Sequence, residues 1–511
     1  MTSALAVGCV AALVPTTAYA GGSGEKNGRY EAGAPGIGDE YYPIAGNGGY
    51  DVEHYLLQGT YDPATDGYDG VATITGTATL DLYRFNLDLV GMTVESIEVN
   101  DKPATWTRDG QELVVTPQRK VMDGAPLEII VHYGGVPTEF LLPGFDIRTG
   151  FMATDDGATV AGQPDVAAGW YPVNDHPLDK AAYTFQITVP DGLGVVANGF
   201  LEDQTSANGW TTFTWDAPEP MASYLATIDI GEWDIRSWTT DSGIPVYDAV
   251  DPDLLTDARR GPAIDASLAR QGEVLDVLSE AFGPYPFSTV GAIVDDQPDL
   301  FFALETQTRP VYSKYFWPSG GDGVVVHELA HQWFGDDVAL ARWQDIWLNE
   351  GFATYAEWIW AEHEGFGTIQ EIFEATHAAI PADDPLWDVV IGAPGVDLLF
   401  DNAVYVRGAM TLQALRNEVG DEAFWEIITR WASEQSGGNG TTDEFIALAE
   451  EVAGTDLDAL FDLWLFTAGK PALTPALTAA AAPLQSPSAT ASDYSAQWLS
   501  DVAARLEHGR Y

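Results

Sequence analysis

Apolar and polar residues change their rhythm along this 511-residue chain. From residue 47 to about 236 they alternate in short runs. Val71–Leu80 is Thr-rich and two-periodic, and Val94–Val99 repeats the pattern before turning at Asn100–Asp101. Leu127–Val131 is β-branched, and Tyr183–Val189 stops at Pro190–Asp191–Gly192. Short alternating runs between turn signals predict an all-β sandwich or saddle of sheets. From about residue 237 the period lengthens. Pro262 suits the first turn of a helix running to about Phe282, and Gly291–Val294 reads as a strand. Ala403–Val419 is one helix closed by Gly420, and Thr442–Phe445 opens another that Gly454 ends. A strand leading into helices predicts an α+β domain over residues 237–470. Residues 21–46 are Gly-rich and read as a flexible leader; residues 471–511 form an Ala/Pro/Ser-rich tail.

The candidate chemistry lies inside the helical part. His327-Glu328-Leu329-Ala330-His331 places two imidazoles four residues apart, on one face of a helix, where both can reach one metal ion. Val324, Val325, Val326, Leu329, Trp333 and Phe334 make that helix a buried one, with Gly335 as its stop. Burying two histidines and a glutamate costs free energy unless something pairs them, and a zinc ion does so. Eighteen residues further on, Glu350 offers a carboxylate from the following helix. Two His and one Glu leave a fourth position of Zn²⁺ open, the pattern of a catalytic site. Glu328 sits beside the ligands as a candidate proton acceptor.

Composition narrows the setting. Residues 1–20 read as a secretory signal: the apolar run Ala4–Val14 is followed by the small-x-small site Ala18–Tyr19–Ala20, so the mature chain would start at Gly21 and be exported. No other run approaches a membrane span. Cys9 is the one cysteine and falls in the removed segment, which excludes disulfides, cysteine zinc ligands and cysteine nucleophiles from the mature chain. The formal net charge is −55, from 77 acidic against 22 basic residues. Such a field repels nucleic acid and anionic membranes and attracts cations such as peptide amines.

The motif from His327 to Glu350, continued by Gly351-Phe352-Ala353-Thr354-Tyr355, resembles the aminopeptidase-N-like family of zinc peptidases over roughly residues 50 to 470. The resemblance implies an N-terminal β domain joined to a thermolysin-like catalytic domain, one Zn²⁺ per chain held by His327, His331 and Glu350, and peptide substrates with a free N-terminus. It also implies roles for other residues. Glu305, in Ala303-Leu304-Glu305-Thr306, lies where the family keeps Gly-x-Met-Glu-Asn and binds the substrate α-amine, with the backbone around Ala303 gripping the peptide. Phe302, Leu304 and Thr306 depart from that motif. Tyr405 resembles the family's catalytic tyrosine, paired with Glu328 as the catalytic residues. Gln163, before Tyr171-Pro172-Val173-Asn174-Asp175, corresponds to a glutamine near the first-residue pocket. Asp336, Asp337 and Glu357 are candidates to support the histidines. Three functions stay open on these residues: a secreted zinc aminopeptidase, a zinc endopeptidase of thermolysin type, and a non-catalytic peptide-binding protein.

The charge excess makes one prediction at this level. Salt screens self-repulsion, so the melting temperature is expected to rise as NaCl goes from low to molar concentration. A fall measured over that range by calorimetry would contradict an adaptation to saline surroundings.

Overall fold

The computed structural model describes residues 26–27, 30–317 and 321–473. The expected signal segment, and the tail beyond residue 473, lie outside them. A large sheet forms the body of the N-terminal domain. Its strands run Phe200–Ala207, Trp210–Met221, Ala181–Pro190, Tyr50–Asp62, Gly67–Ala78, Pro126–Gly135, Thr93–Val99 and Lys102–Pro103 from edge to edge. Ala181–Pro190 alternates buried with half-buried residues along its whole length, which is the two-periodicity that marked it in the sequence. The turn at Asn100–Asp101 is tight because both residues take positive φ, 49° and 59°, and Val99 pairs with Lys102 across it. Two five-stranded sheets complete the domain.

The catalytic-side domain begins with a four-stranded sheet ordered Asp234–Thr239, Pro245–Val250, Val290–Asp295, Val311–Ser313. The boundary expected between residues 236 and 237 therefore falls inside a strand. The helix expected from Pro262 to Phe282 is two, Arg260–Leu268 and Gln271–Phe282. At the break, the Arg270 guanidinium bonds Glu273, Asp322 and Glu364, tying three segments together. Three helices then carry the candidate zinc ligands, Glu328 and Tyr405: α1 (Asp322–His331), α2 (Trp347–His363) and α3 (Asn402–Val419), the last closed by Gly420 at φ 82°. The apolar core is continuous from the sheets into these helices. No helix among the described residues is long and apolar enough to cross a membrane.

The flexible leader expected over 21–46 is corrected for residues 30–46, which are packed between the domains. Asp39 is buried and accepts hydrogen bonds from the amides of Tyr41 (2.7 Å), Tyr42 (3.1 Å) and Trp343 (2.8 Å) and from His176 Nε2 (3.2 Å). Trp343 belongs to the helical domain and His176 to the β domain, so one carboxylate joins both. Glycine serves close approach here: at Gly36 (φ 141°) a Cβ would lie 2.1 Å from the Pro43 carbonyl oxygen.

Deeper in the β domain, Glu112 faces Asp88 across a strand pair. Neither Glu112 carboxylate oxygen has a partner, and burial, reinforced by Asp109, pushes its pKa up to about 8. The native state thus holds a proton that the unfolded chain surrenders near pH 4.5, so this group's contribution is lost as pH rises through about 8. Glu112→Gln is expected to raise the melting temperature by a few degrees at pH 9 and by less at pH 5, measured by thermal scans at both.

Candidate metal centre and active site

The helix α1 is buried along Val325–His331. It ends where the chain turns back: the Asp336 amide bonds the His331 carbonyl, and Gly335 supplies a φ of 136°. The helix α2 is buried almost all round from Trp347 to Ala361, its apolar residues enclosing the polar side chains of Asn349, Glu350, Thr354 and Glu357. At the crossing of α2 and α3 the backbones touch. A Cβ on Gly351 would meet Gly408 Cα at 2.9 Å, and one on Gly408 would meet Gly351 Cα at 2.7 Å. Gly351 follows Glu350, and Gly408 lies one turn beyond Tyr405, so this contact sets both side chains against α1.

His327 Nε2 and His331 Nε2 each lie 3.3 Å from the same oxygen of Glu350, Oε2. The other ring nitrogens are engaged. His327 Nδ1 is 2.9 Å from Glu357 Oε1, and His331 Nδ1 is 3.0 Å from the Phe334 carbonyl oxygen. Both outer partners are acceptors, which puts the proton on Nδ1 and turns the Nε2 lone pairs towards Glu350. Two lone pairs and a carboxylate oxygen converging in a buried space repel one another unless a cation lies among them. The spacing suits zinc: tetrahedral bonds of ~2.0–2.1 Å place ligand atoms about 3.3 Å apart. The residues present therefore fit the ion. Of the three supporting residues weighed from sequence, the structure sets Glu357 on His327, two turns along α2 from Glu350; Asp336 is buried close enough to His331 and Glu305 to feel their charge, but the His331 Nδ1 position is taken by the Phe334 carbonyl.

The side chains polarise one another strongly. Burial opposes positive charge at His327, but Glu350 and Glu357 outweigh it and favour such charge there, the same field that draws a cation to its Nε2. Burial is likewise outweighed at Glu350, where the two histidines hold the carboxyl down at about 2. Glu328, with burial as the dominant influence and the histidines opposing it, rises to about 8.

A second group shares His331. Ligand-type atoms of Glu305, Glu328 and His331 all lie within 4.8 Å of one another. Glu305 is buried; its Oε1 accepts from the Tyr224 hydroxyl at 2.9 Å, and its carbonyl accepts from Gln332 Nε2 at 2.9 Å. Ala303, half-buried, precedes the Leu304–Val311 bridge that holds this segment to the edge strand. The Tyr405 ring stacks on His327, centroids 5.9 Å apart and planes at 24°. Gln163 is buried with its carboxamide oxygen unpartnered, and no hydrogen bond joins it to Glu305. Sequence reasoning missed Tyr224 and Gln332. Gln332 adjoins His331 and could have been noticed there, whereas Tyr224 lies in the β domain with no local signal.

Residues 51–225 match the peptidase M1 N-terminal domain, and residues 321–464 match the peptidase family M1 domain. An M1 zinc metallopeptidase from Deinococcus radiodurans superposes with a TM-score of 0.74 at 31% identity, covering 84% of this chain and 97% of that one. A mutant of that enzyme bound to a Tyr-Ser-Ala substrate gives 0.75 at 30% identity, with 86% and 99% covered. The chain belongs to peptidase family M1, with the two-domain architecture of these structures. Glutamyl aminopeptidase of Bitis rhinoceros is 24% identical over 489 residues, which cover 87% of this chain and 50% of that protein. Leucyl aminopeptidase of Saccharolobus solfataricus is 26% identical over 412 residues, covering 75% and 50%. The chain spans about half the length of these curated relatives.

Glu357→Ala removes the acceptor that orients His327. Losing such a partner is expected to weaken zinc binding roughly 10–100-fold, measured by competition with a chromophoric chelator.

Proposed function

We propose that this protein is an exported zinc aminopeptidase that hydrolyses the first peptide bond of peptides with a free N-terminus. The observation that carries the reading is Glu305, a buried carboxylate grouped with Glu328 and His331 within 4.8 Å. An endopeptidase has no use for a buried acid there, whereas a substrate ammonium pairs with it.

Bound by His327, His331 and Glu350, zinc would supply Lewis-acid polarisation of the scissile carbonyl and acidify a water. The chain's own residues do the rest. Glu305 fixes the ammonium, so that only the first peptide bond reaches the centre; this positioning converts binding energy into rate. Glu328 takes a proton from the attacking water and returns one to the leaving amine. The burial that raises its pKa towards neutrality suits it to both tasks. The Tyr405 hydroxyl donates to the oxyanion that develops on the carbonyl. The Ala303 backbone and Gln163 flank the first residue of the substrate, a role that rests on the family resemblance.

The test uses an alanyl anilide and its N-acetyl form. Protein recovered from the culture medium is expected to begin at Gly21 and to cleave only the unblocked substrate. Glu328→Gln is expected to lower kcat by about 10²–10⁴ with its zinc retained. Equal cleavage of the blocked anilide would replace this reading with an endopeptidase, and undiminished turnover by Glu328→Gln would remove the proton carrier.

A further inference from the structure

Glu305 is gripped at both ends by residues outside its own segment. At its backbone, Gln332 donates from Nε2 to the Glu305 carbonyl (2.9 Å) and accepts the Thr308 amide on Oε1 (2.7 Å). One fully buried carboxamide thus spans the turn that carries Glu305, whose Thr308 takes a left-handed φ of 64°. Gln332 directly follows His331, so the turn is fastened to the chain that presents the histidines. At its side chain, Glu305 Oε1 receives the hydroxyl of Tyr224, which comes from the β domain.

Tyr224 is itself held in place. Its ring meets Trp343 edge-on at 5.4 Å. The preceding residue, Ser223, donates to Asp175 Oδ1 at 2.7 Å, and Asp175 Oδ2 accepts the Ala168 amide at 2.9 Å. The Trp343 amide bonds Asp39, which also binds His176. The hydroxyl therefore reaches Glu305 from a rigid, buried frame built by both domains. A tyrosine hydroxyl has one proton to donate, and here it goes to Oε1. That bond holds Oε1 and with it the orientation of the carboxylate.

We infer that Tyr224 and Gln332 are positioning residues for the ammonium anchor: Gln332 sets the distance of Glu305 from the two histidines, and Tyr224 sets the orientation of its carboxylate. The inference rests on Glu305 binding the substrate amine, as proposed above. It makes the β domain a part of the recognition machinery. The two residues also act on separable quantities. Loosening the carboxylate weakens ammonium binding, whereas shifting the backbone misplaces a bound substrate relative to the reacting centre.

The experiment compares zinc-loaded wild type, Tyr224→Phe and Gln332→Met. Tyr224→Phe keeps the ring on Trp343 and deletes only the hydroxyl. Calorimetric binding of L-leucinol, an amine with no peptide bond, is measured against N-acetyl-leucinol, alongside KM and kcat on an alanyl anilide, zinc content and melting temperature. Tyr224→Phe is expected to bind leucinol about tenfold more weakly and to raise KM similarly, with kcat changed less, the size appropriate to a hydrogen bond to a charged group. N-acetyl-leucinol binding is expected to stay level. Gln332→Met is expected to lower kcat more than it raises KM. If Tyr224→Phe keeps leucinol affinity and KM within twofold of wild type, or loses both ligands equally, the inference is overturned while the aminopeptidase reading stands. If the wild type itself prefers leucinol no more than its acetylated form, Glu305 is not the anchor and both fall. Should Gln332→Met lose zinc or stability, the Tyr224→Phe arm decides alone.

Discussion

Charge without water is the constraint on which this structure depends. His327, His331, Glu305, Glu328, Glu350 and Glu357 are all buried in one region of the helical domain. Removing an ion from water costs several kcal/mol even after relaxation, so none of these groups is tolerable alone. Each is placed against the others: Glu350 between the two imidazoles, Glu357 behind the first, a carbonyl behind the second. The surrounding apolar packing of α1, α2 and α3 makes those pairings strong, because a low local dielectric amplifies attraction as well as the penalty for an unpaired group. The same packing that folds the domain therefore prepares its electrostatics.

The β domain is more than a neighbour to this centre. Lys180, just before the inner strand Ala181–Pro190 of the large sheet, donates to the carbonyls of Asp336 (2.8 Å) and Asp337 (2.9 Å), past the end of α1. Tyr224 reaches Glu305, and Asp39 bridges His176 to Trp343. The two domains thus share a polar seam, and the seam touches the segments that set the geometry of the site.

Much of this was legible in the sequence where local periodicity decides the outcome. The strand through Tyr183–Val189 and the helix carrying His327 and His331 follow from spacing alone. Gly420 and Gly454 stop their helices by taking positive φ, at 82° and 64°. The errors arose where tertiary contacts outrank local signals. Glycines near residue 36 read as freedom but serve crowding. The helix over 260–282 is interrupted because Arg270 answers to acids on other segments. Glu357 could be chosen over Asp336 and Asp337 only once α2 had brought it behind His327. Tyr224 was invisible because its partner lies 81 residues away.

The crossing of α2 and α3 has a consequence for how this centre tolerates change. Two glycines meet there with no side chain between them, so the helices stand as near as backbones allow. A single methyl group on either would act as a wedge, and its push would be delivered one position from Glu350 and one turn from Tyr405. The alignment of ligand and ring is thus stored in two missing carbon atoms, a form of information that substitutions can erase but that neighbouring side chains have no means to restore.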